Sequence, residues 1–199
     1  MRRFAWLRLA CTLVVLVGFA RAQEIDLAVG GSTPYAFSST SASQAFPAPP
    51  ERGGTYPGFS VQIFPWGQLG INAELAFRYH QGLYNDFQTF RPILYDFNAV
   101  YTSRIARKMN VDAMAGVGGE TLLFYNQYSS CTLAASGCVT NLTSNHLMFH
   151  LGVGIRYYFL HQFFIRPEAH YYLINNNFEF HSDNLFRAGA SIGYTFGRK

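Results

Sequence analysis

From Leu147 to Phe159 every second residue is large and apolar (Leu147, Phe149, Leu151, Val153, Ile155, Tyr157, Phe159), and between them stand Met148, His150, Gly152, Gly154, Arg156 and Tyr158. A two-residue period marks a strand with two unlike faces. The alternation recurs along the chain and predicts eight strands, near 24–33, 55–64, 69–80, 92–105, 109–124, 145–159, 163–173 and 185–196. Connections after the first, third, fifth and seventh strands are long and polar, beginning with the Ser/Ala/Pro-rich stretch 34–54. Those after the second, fourth and sixth are short: Pro65-Trp66-Gly67, residues 106–108 and Leu160-His161-Gln162. An even strand number with alternating long loops and tight turns predicts an all-β, eight-stranded antiparallel up-and-down transmembrane β-barrel.

The same alternation also fits a soluble, lipocalin-type (calycin-like) barrel, which keeps its apolar face inside. Composition separates the two. In the third strand Leu69, Ile71, Ala73, Leu75, Phe77 and Tyr79 alternate with Gly70, Asn72, Glu74, Ala76, Arg78 and His80. The polar faces are rich in glycine, serine and alanine, and the whole chain has two lysines, Lys108 and Lys199. A water-facing surface would mix Lys with Glu, whereas the narrow bore of an eight-stranded barrel must be filled by small or paired side chains. The polar face therefore points inward, and Tyr79, Tyr101, Tyr157, Tyr171 and Tyr194 suit aromatic girdles on the outside.

Charge changes the picture once the N-terminus is set aside. Arg2, Arg3 and Arg8 precede an apolar run from Leu9 to Phe19, and Ala20-Arg21-Ala22 offers small residues for cleavage. This is the pattern of a secretory signal over residues 1–22, leaving 23–199 as one barrel domain. The signal holds four arginines and no acid, so the remainder carries eleven basic against eleven acidic residues. The pI near 9.0 thus belongs to the export segment, and nucleic-acid binding, which needs a concentrated basic face, is not expected. Charged residues make up about half the roughly 25% usual in soluble domains.

In the exported part Cys131 and Cys138 end a polar octapeptide, Cys-Thr-Leu-Ala-Ala-Ser-Gly-Cys. Their spacing suits a disulfide in a loop exposed to an oxidising compartment; two free or metal-binding thiols are the alternative. Inward parity collects Asp26, Glu74, Asp96, Asp112, Glu120 and Glu168 with Arg78, Arg104, Arg156, Arg166 and Arg187. Buried charges are costly unless paired, and arginine pairs well with carboxylates, so an ion-pair network across the lumen is expected. It acts either as a plug or as the filter of a narrow, porin-like ion channel; the small bore favours the plug.

Phe164-Ile165-Arg166-Pro167-Glu168-Ala169 and the closing run from Phe186 to Gly197 resemble the last two strands of the outer-membrane-protein β-barrel domain family, the OmpA/OmpX-like small barrels. The resemblance implies an eight-stranded barrel in the cell outer membrane of a Gram-negative-type envelope. It also implies insertion by the barrel-assembly machinery through a C-terminal aromatic signal, here Tyr194 and Phe196. The chain departs from that pattern in carrying Gly197, Arg198 and Lys199 after the last aromatic. Family members are structural, adhesive or resistance-related. Small outer-membrane barrels also include lipid A deacylases with a His-x-Ser-Asn motif, but here His170 is followed by Tyr171-Tyr172-Leu173. Glu168, His170 and His150 then read as lumen filler, and no enzyme activity is expected. Expected partners are outer-membrane lipid and an extracellular ligand met through the loops. A monomer is expected, with no cofactor, no metal and no metal-ligand cluster.

Overall fold

The computed structural model describes residues 24–36, 51–84, 88–125, 141–177, 179–180 and 182–197. Residues 1–22, expected to be an export signal, lie outside the described residues, as do Cys131, Cys138 and most of the first long connection.

Nine strands run in chain order: β1 (Glu24–Ala36), β2 (Tyr56–Trp66), β3 (Leu69–Phe77), β4 (Gly82–Tyr84), β5 (Gln88–Ala106), β6 (Met109–Tyr125), β7 (Asn141–Leu160), β8 (Phe163–Ile174) and β9 (Asn184–Phe196). The sheet order β3-β2-β1-β9-β8-β7-β6-β5-β4 closes because β3 also pairs with β5. Phe77 stands opposite Ile93 and Gly82 opposite Phe90 on the same neighbour, so β4 is the upper end of the third stave. The barrel thus has eight antiparallel staves. The continuous strand expected over 69–80 is interrupted after Phe77, and the register puts Arg78 opposite Pro92. Arg78 N donates to Pro92 O at 3.1 Å, but proline has no N–H to return.

Gly67–Gln68, Arg107–Lys108 and His161–Gln162 form the three tight turns. Gly67 has φ +67°, a conformation glycine adopts without a Cβ penalty. At the other end the staves are unequal: β5, β6 and β7 have 19, 17 and 20 residues, whereas β8, β9, β1 and β2 have 12, 13, 13 and 11.

Sidedness follows the alternation. Val29, Phe59, Ile71, Phe97, Val153 and Ile165 each expose 45% or more of their surface on the outer wall, while Asp26, Glu74, Asp112, Arg156, Arg166 and Arg187 are buried inside. Water would not tolerate so continuous an apolar wall. A soluble barrel needs the opposite arrangement, so the wall is that of a transmembrane barrel.

Small inward residues make room for the large polar ones. A Cβ on Gly118 would sit 2.7 Å from Asp96 Cα and 2.8 Å from its Cβ, and would press on the Tyr95 carbonyl. Gly118→Ala should therefore lower stability by about 1–3 kcal/mol, the usual range for overpacking. The urea unfolding midpoint of the refolded barrel is the readout, and an unchanged midpoint would mean that β5 yields freely at this point.

Candidate functional site

Inward side chains fill the bore in successive levels. Nearest the tight turns, Arg156 of β7 reaches across to β1 and β6. Its Nη1 donates to Asp26 and to Glu24 Oε1 (3.0 Å), and its Nη2 donates to Asp112 Oδ1 (2.8 Å) and Thr102 Oγ1 (2.6 Å). The guanidinium also lies 5.1 Å from the Phe64 ring centre and 6.0 Å from that of Phe164. Tyr158 closes the group, its hydroxyl 3.2 Å from Thr195 Oγ1.

The middle level joins opposite walls. Arg187 of β9 pairs with Glu74 of β3 through Glu74 Oε1. Arg166 of β8 donates from Nε to Glu168 Oε2 at 2.7 Å and from Nη2 to Ser60 at 2.9 Å. Ser191 Oγ donates to Glu168 Oε2 at 3.3 Å. Beside these pairs, His150 and His170 stack at 5.0 Å with their ring nitrogens 2.9 Å apart. His150 Nδ1 lies 2.6 Å from Asn98 Oδ1 and 3.6 Å from Asp96 Oδ1. Asn98 in turn donates to Asn72 at 3.0 Å and to Asp96.

Above this level comes an apolar layer of Tyr56, Leu94, Met148, Tyr172, Ile174 and Leu185. Tyr56 donates to Glu51 at 2.5 Å, and the Arg187 guanidinium lies 5.4 Å from the Tyr172 ring centre. The loop end is closed by Phe90, Leu122, Phe124 and Phe180 with Tyr84 against them. Here Asn177 donates to Glu120 at 3.2 Å, Tyr84 donates to the Glu179 carbonyl at 2.8 Å, and His146 stands 3.2 Å from the Glu179 carboxylate.

The expected charge set is thus divided among levels. Asp26, Asp112 and Arg156 form one group, and Glu74, Arg187, Arg166 and Glu168 form another with Asp96 beside them. Glu120 meets an amide instead of an arginine. Arg78 is half-buried with its guanidinium 5.3 Å from the Phe90 ring centre. Arg104 stands apart from the network expected to contain it: it is exposed beside the tight turn and donates to the carbonyls of Ala106 (3.4 Å) and Arg107 (3.1 Å). The β5–β6 register shifts between Arg104 and Ala106, so its inward parity has no bore left to point into. Sequence parity alone did not single out Glu24, Thr102, Asn98, His146 or Glu179 as partners. On the outer wall Tyr194 and Phe196 pack edge to face at 4.7 Å, and Tyr194 donates to Gln162.

No protein-family model and no curated protein sequence matches the chain. Solved structures do. The N-terminal β-barrel domain of Pseudomonas aeruginosa OprF aligns with a TM-score of 0.58 at 14% identity, covering 88% of this chain and 98% of that one. Ail, the attachment invasion locus protein of Yersinia pestis, seen with the heparin analogue sucrose octasulfate, aligns at 0.59 and 11% identity over 87% and 98%. Neisserial surface protein A aligns at 0.56 and 10% identity over 88% and 96%. With its closed ring of eight staves, apolar outer wall and polar bore, the chain has the fold of the small outer-membrane β-barrels.

Proposed function

We propose that the protein is a small outer-membrane barrel whose lumen is a plug, with a structural or surface-interaction role carried by its external loops. The observation that carries this reading is the filling of the bore. Among the described residues Arg156, Arg166 and Arg187 are the largest fully buried side chains, and Tyr56, Tyr172, Phe64, Phe164 and Phe180 are buried with them. A solute would have to part ion pairs and aromatic layers in turn. In this reading residues 1–22 direct export and are removed, Tyr194 and Phe196 serve insertion by the barrel-assembly machinery, and Cys131 and Cys138 staple one loop. The barrel works as a monomer in lipid. That Ail, a barrel of this fold, forms a complex with the heparin analogue sucrose octasulfate supports a ligand-contacting role. Catalysis is not part of the proposal.

Ion conductance of the refolded protein in a planar lipid bilayer tests the plug. A silent bilayer is expected from preparations whose heat-dependent gel shift shows a folded barrel. Steady discrete openings would overturn the plug and make the arginine–carboxylate pairs the filter of a narrow channel.

A further inference from the structure

The middle level of the bore holds an arrangement that the plug alone does not account for. Asn98 Nδ2 donates to Asn72 Oδ1 and to Asp96 Oδ1, which leaves Asn98 Oδ1 to accept from His150 Nδ1 at 2.6 Å. A neutral imidazole carries one proton, so His150 Nε2 is an acceptor, and the 2.9 Å contact with His170 is donated by His170 Nδ1. The other nitrogen of a neutral His170, Nε2, then bears a bare lone pair. It is fully buried, has no hydrogen-bond partner and faces Glu168 Oε1 at 3.7 Å.

Glu74 reaches the same point from the opposite wall. Arg187 occupies Glu74 Oε1, which leaves Oε2 buried without a partner. Arg166 and Ser191 occupy Glu168 Oε2, which leaves Oε1 free of them. One ligand atom from each of Glu74, Glu168 and His170 lies within 4.8 Å of the other two. With a neutral His170, three electron-rich atoms converge at this point. Glu74 and Glu168 face Arg166 and Arg187 in this buried level, with Asp96 beside them. A cavity of about 10 Å³ is lined by Glu74 and Glu168, together with Ser60, Arg187, Ser191 and residues of β1 and β2, but not by His170.

We propose that Glu74, Glu168 and His170 bind a first-row divalent transition-metal ion such as Zn²⁺ or Mn²⁺ inside the barrel. One imidazole and two carboxylates are a ligand set such ions accept. The surroundings have the second-shell character of a metal site: His170 passes its other N–H to His150, and each carboxylate is held by an arginine on its non-ligating oxygen. The ion clamps β3 to β8, which stand opposite one another, four staves apart in the ring. No metal-ligand cluster was expected from the sequence, because Glu74 lies about a hundred residues from the other two ligands and joins them only through barrel closure.

Co²⁺ is the probe. The full mature chain, without an affinity tag, is refolded from urea into detergent with and without Co²⁺, passed through a chelating wash, and assayed for metal content and visible absorption. One tightly held cobalt per folded barrel with d–d bands is expected. Retention should fall at least tenfold in H170Q and in E74Q, and it should persist when Cys131 and Cys138 are both serine. A folded wild-type barrel that retains no cobalt would overturn the proposal and leave His170 as an imidazolium holding the two carboxylates. Retention that survives both H170Q and E74Q, or that disappears with the cysteines, would overturn it too. Should one ligand variant fail the heat-shift test for folding, the other and the wild-type stoichiometry still decide.

Discussion

Arg156→Ala should lower the unfolding free energy of the refolded barrel by about 3–5 kcal/mol, the cost of removing one partner from a buried ion pair. The cause is specific. Arg156 is fully buried, and its guanidinium serves two buried aspartates from opposite sides, Asp26 and Asp112, besides Glu24 and Thr102. Alanine would leave those carboxylates facing one another with no cation in a place water reaches poorly. Equilibrium unfolding in urea, followed by tryptophan fluorescence and the heat-dependent gel shift, gives the value. A triple change that also makes Asp26 and Asp112 asparagine removes the stranded charges and should recover part of the loss. Were the single and triple variants equally destabilised, packing and not charge would be what Arg156 supplies. The same protein in a planar bilayer shows whether the plug has opened at the turn end.

The second large effect belongs to the outer wall. Val153 lies midway along the apolar outward series from Leu147 to Phe159, pairs with Ala113 and Ala169, and is 56% exposed. Val153→Arg should cost about 2–4 kcal/mol for a barrel refolded into lipid vesicles, because the charge falls near the bilayer midplane. Leu160→Arg, at the end of the same strand, should cost about 0–1 kcal/mol, since the penalty fades toward the interface. Equal costs at the two positions would contradict this placement of the wall in the bilayer.

How much of this was legible beforehand depends on what a two-residue period can encode. Alternation from Leu147 to Phe159 fixes which side chains share a face. Inward parity therefore identified Asp26, Asp112 and Arg156, and the Glu74, Arg166, Glu168 and Arg187 group, as residents of one bore. It does not encode height. Which inward residues stand level with one another is set by the stagger of the staves around the ring, a property of closure and not of any one strand. Hence Glu74 could not be matched to Arg187 in advance. Glu120 could not be seen to meet Asn177, nor could Arg104 be seen to emerge beside a turn. The interruption of the third stave has a local cause, Pro92, but that cause sits on the neighbouring strand and acts only once the register is set. Histidines 150 and 170 look like filler along their own strands, and their tautomers become defined only when Asn98 from β5 meets them.

The unequal staves have a consequence for what can reach the protein from outside. At about 3.3 Å per residue and a tilt near 40°, strands of 17–20 residues rise roughly 43–50 Å, while those of 11–13 residues rise roughly 28–33 Å, against an apolar band of about 25 Å. The tight turns lie at one end, so the surplus height of β5, β6 and β7 accumulates at the other. There the outer face turns polar, with Thr121 donating to Asn145 at 2.7 Å in the open. The rim is therefore a parapet on one flank and a low sill on the other. As far as the described strands go, a bulky visitor descending along the membrane normal meets a step where β5, β6 and β7 rise above β8, β9, β1 and β2.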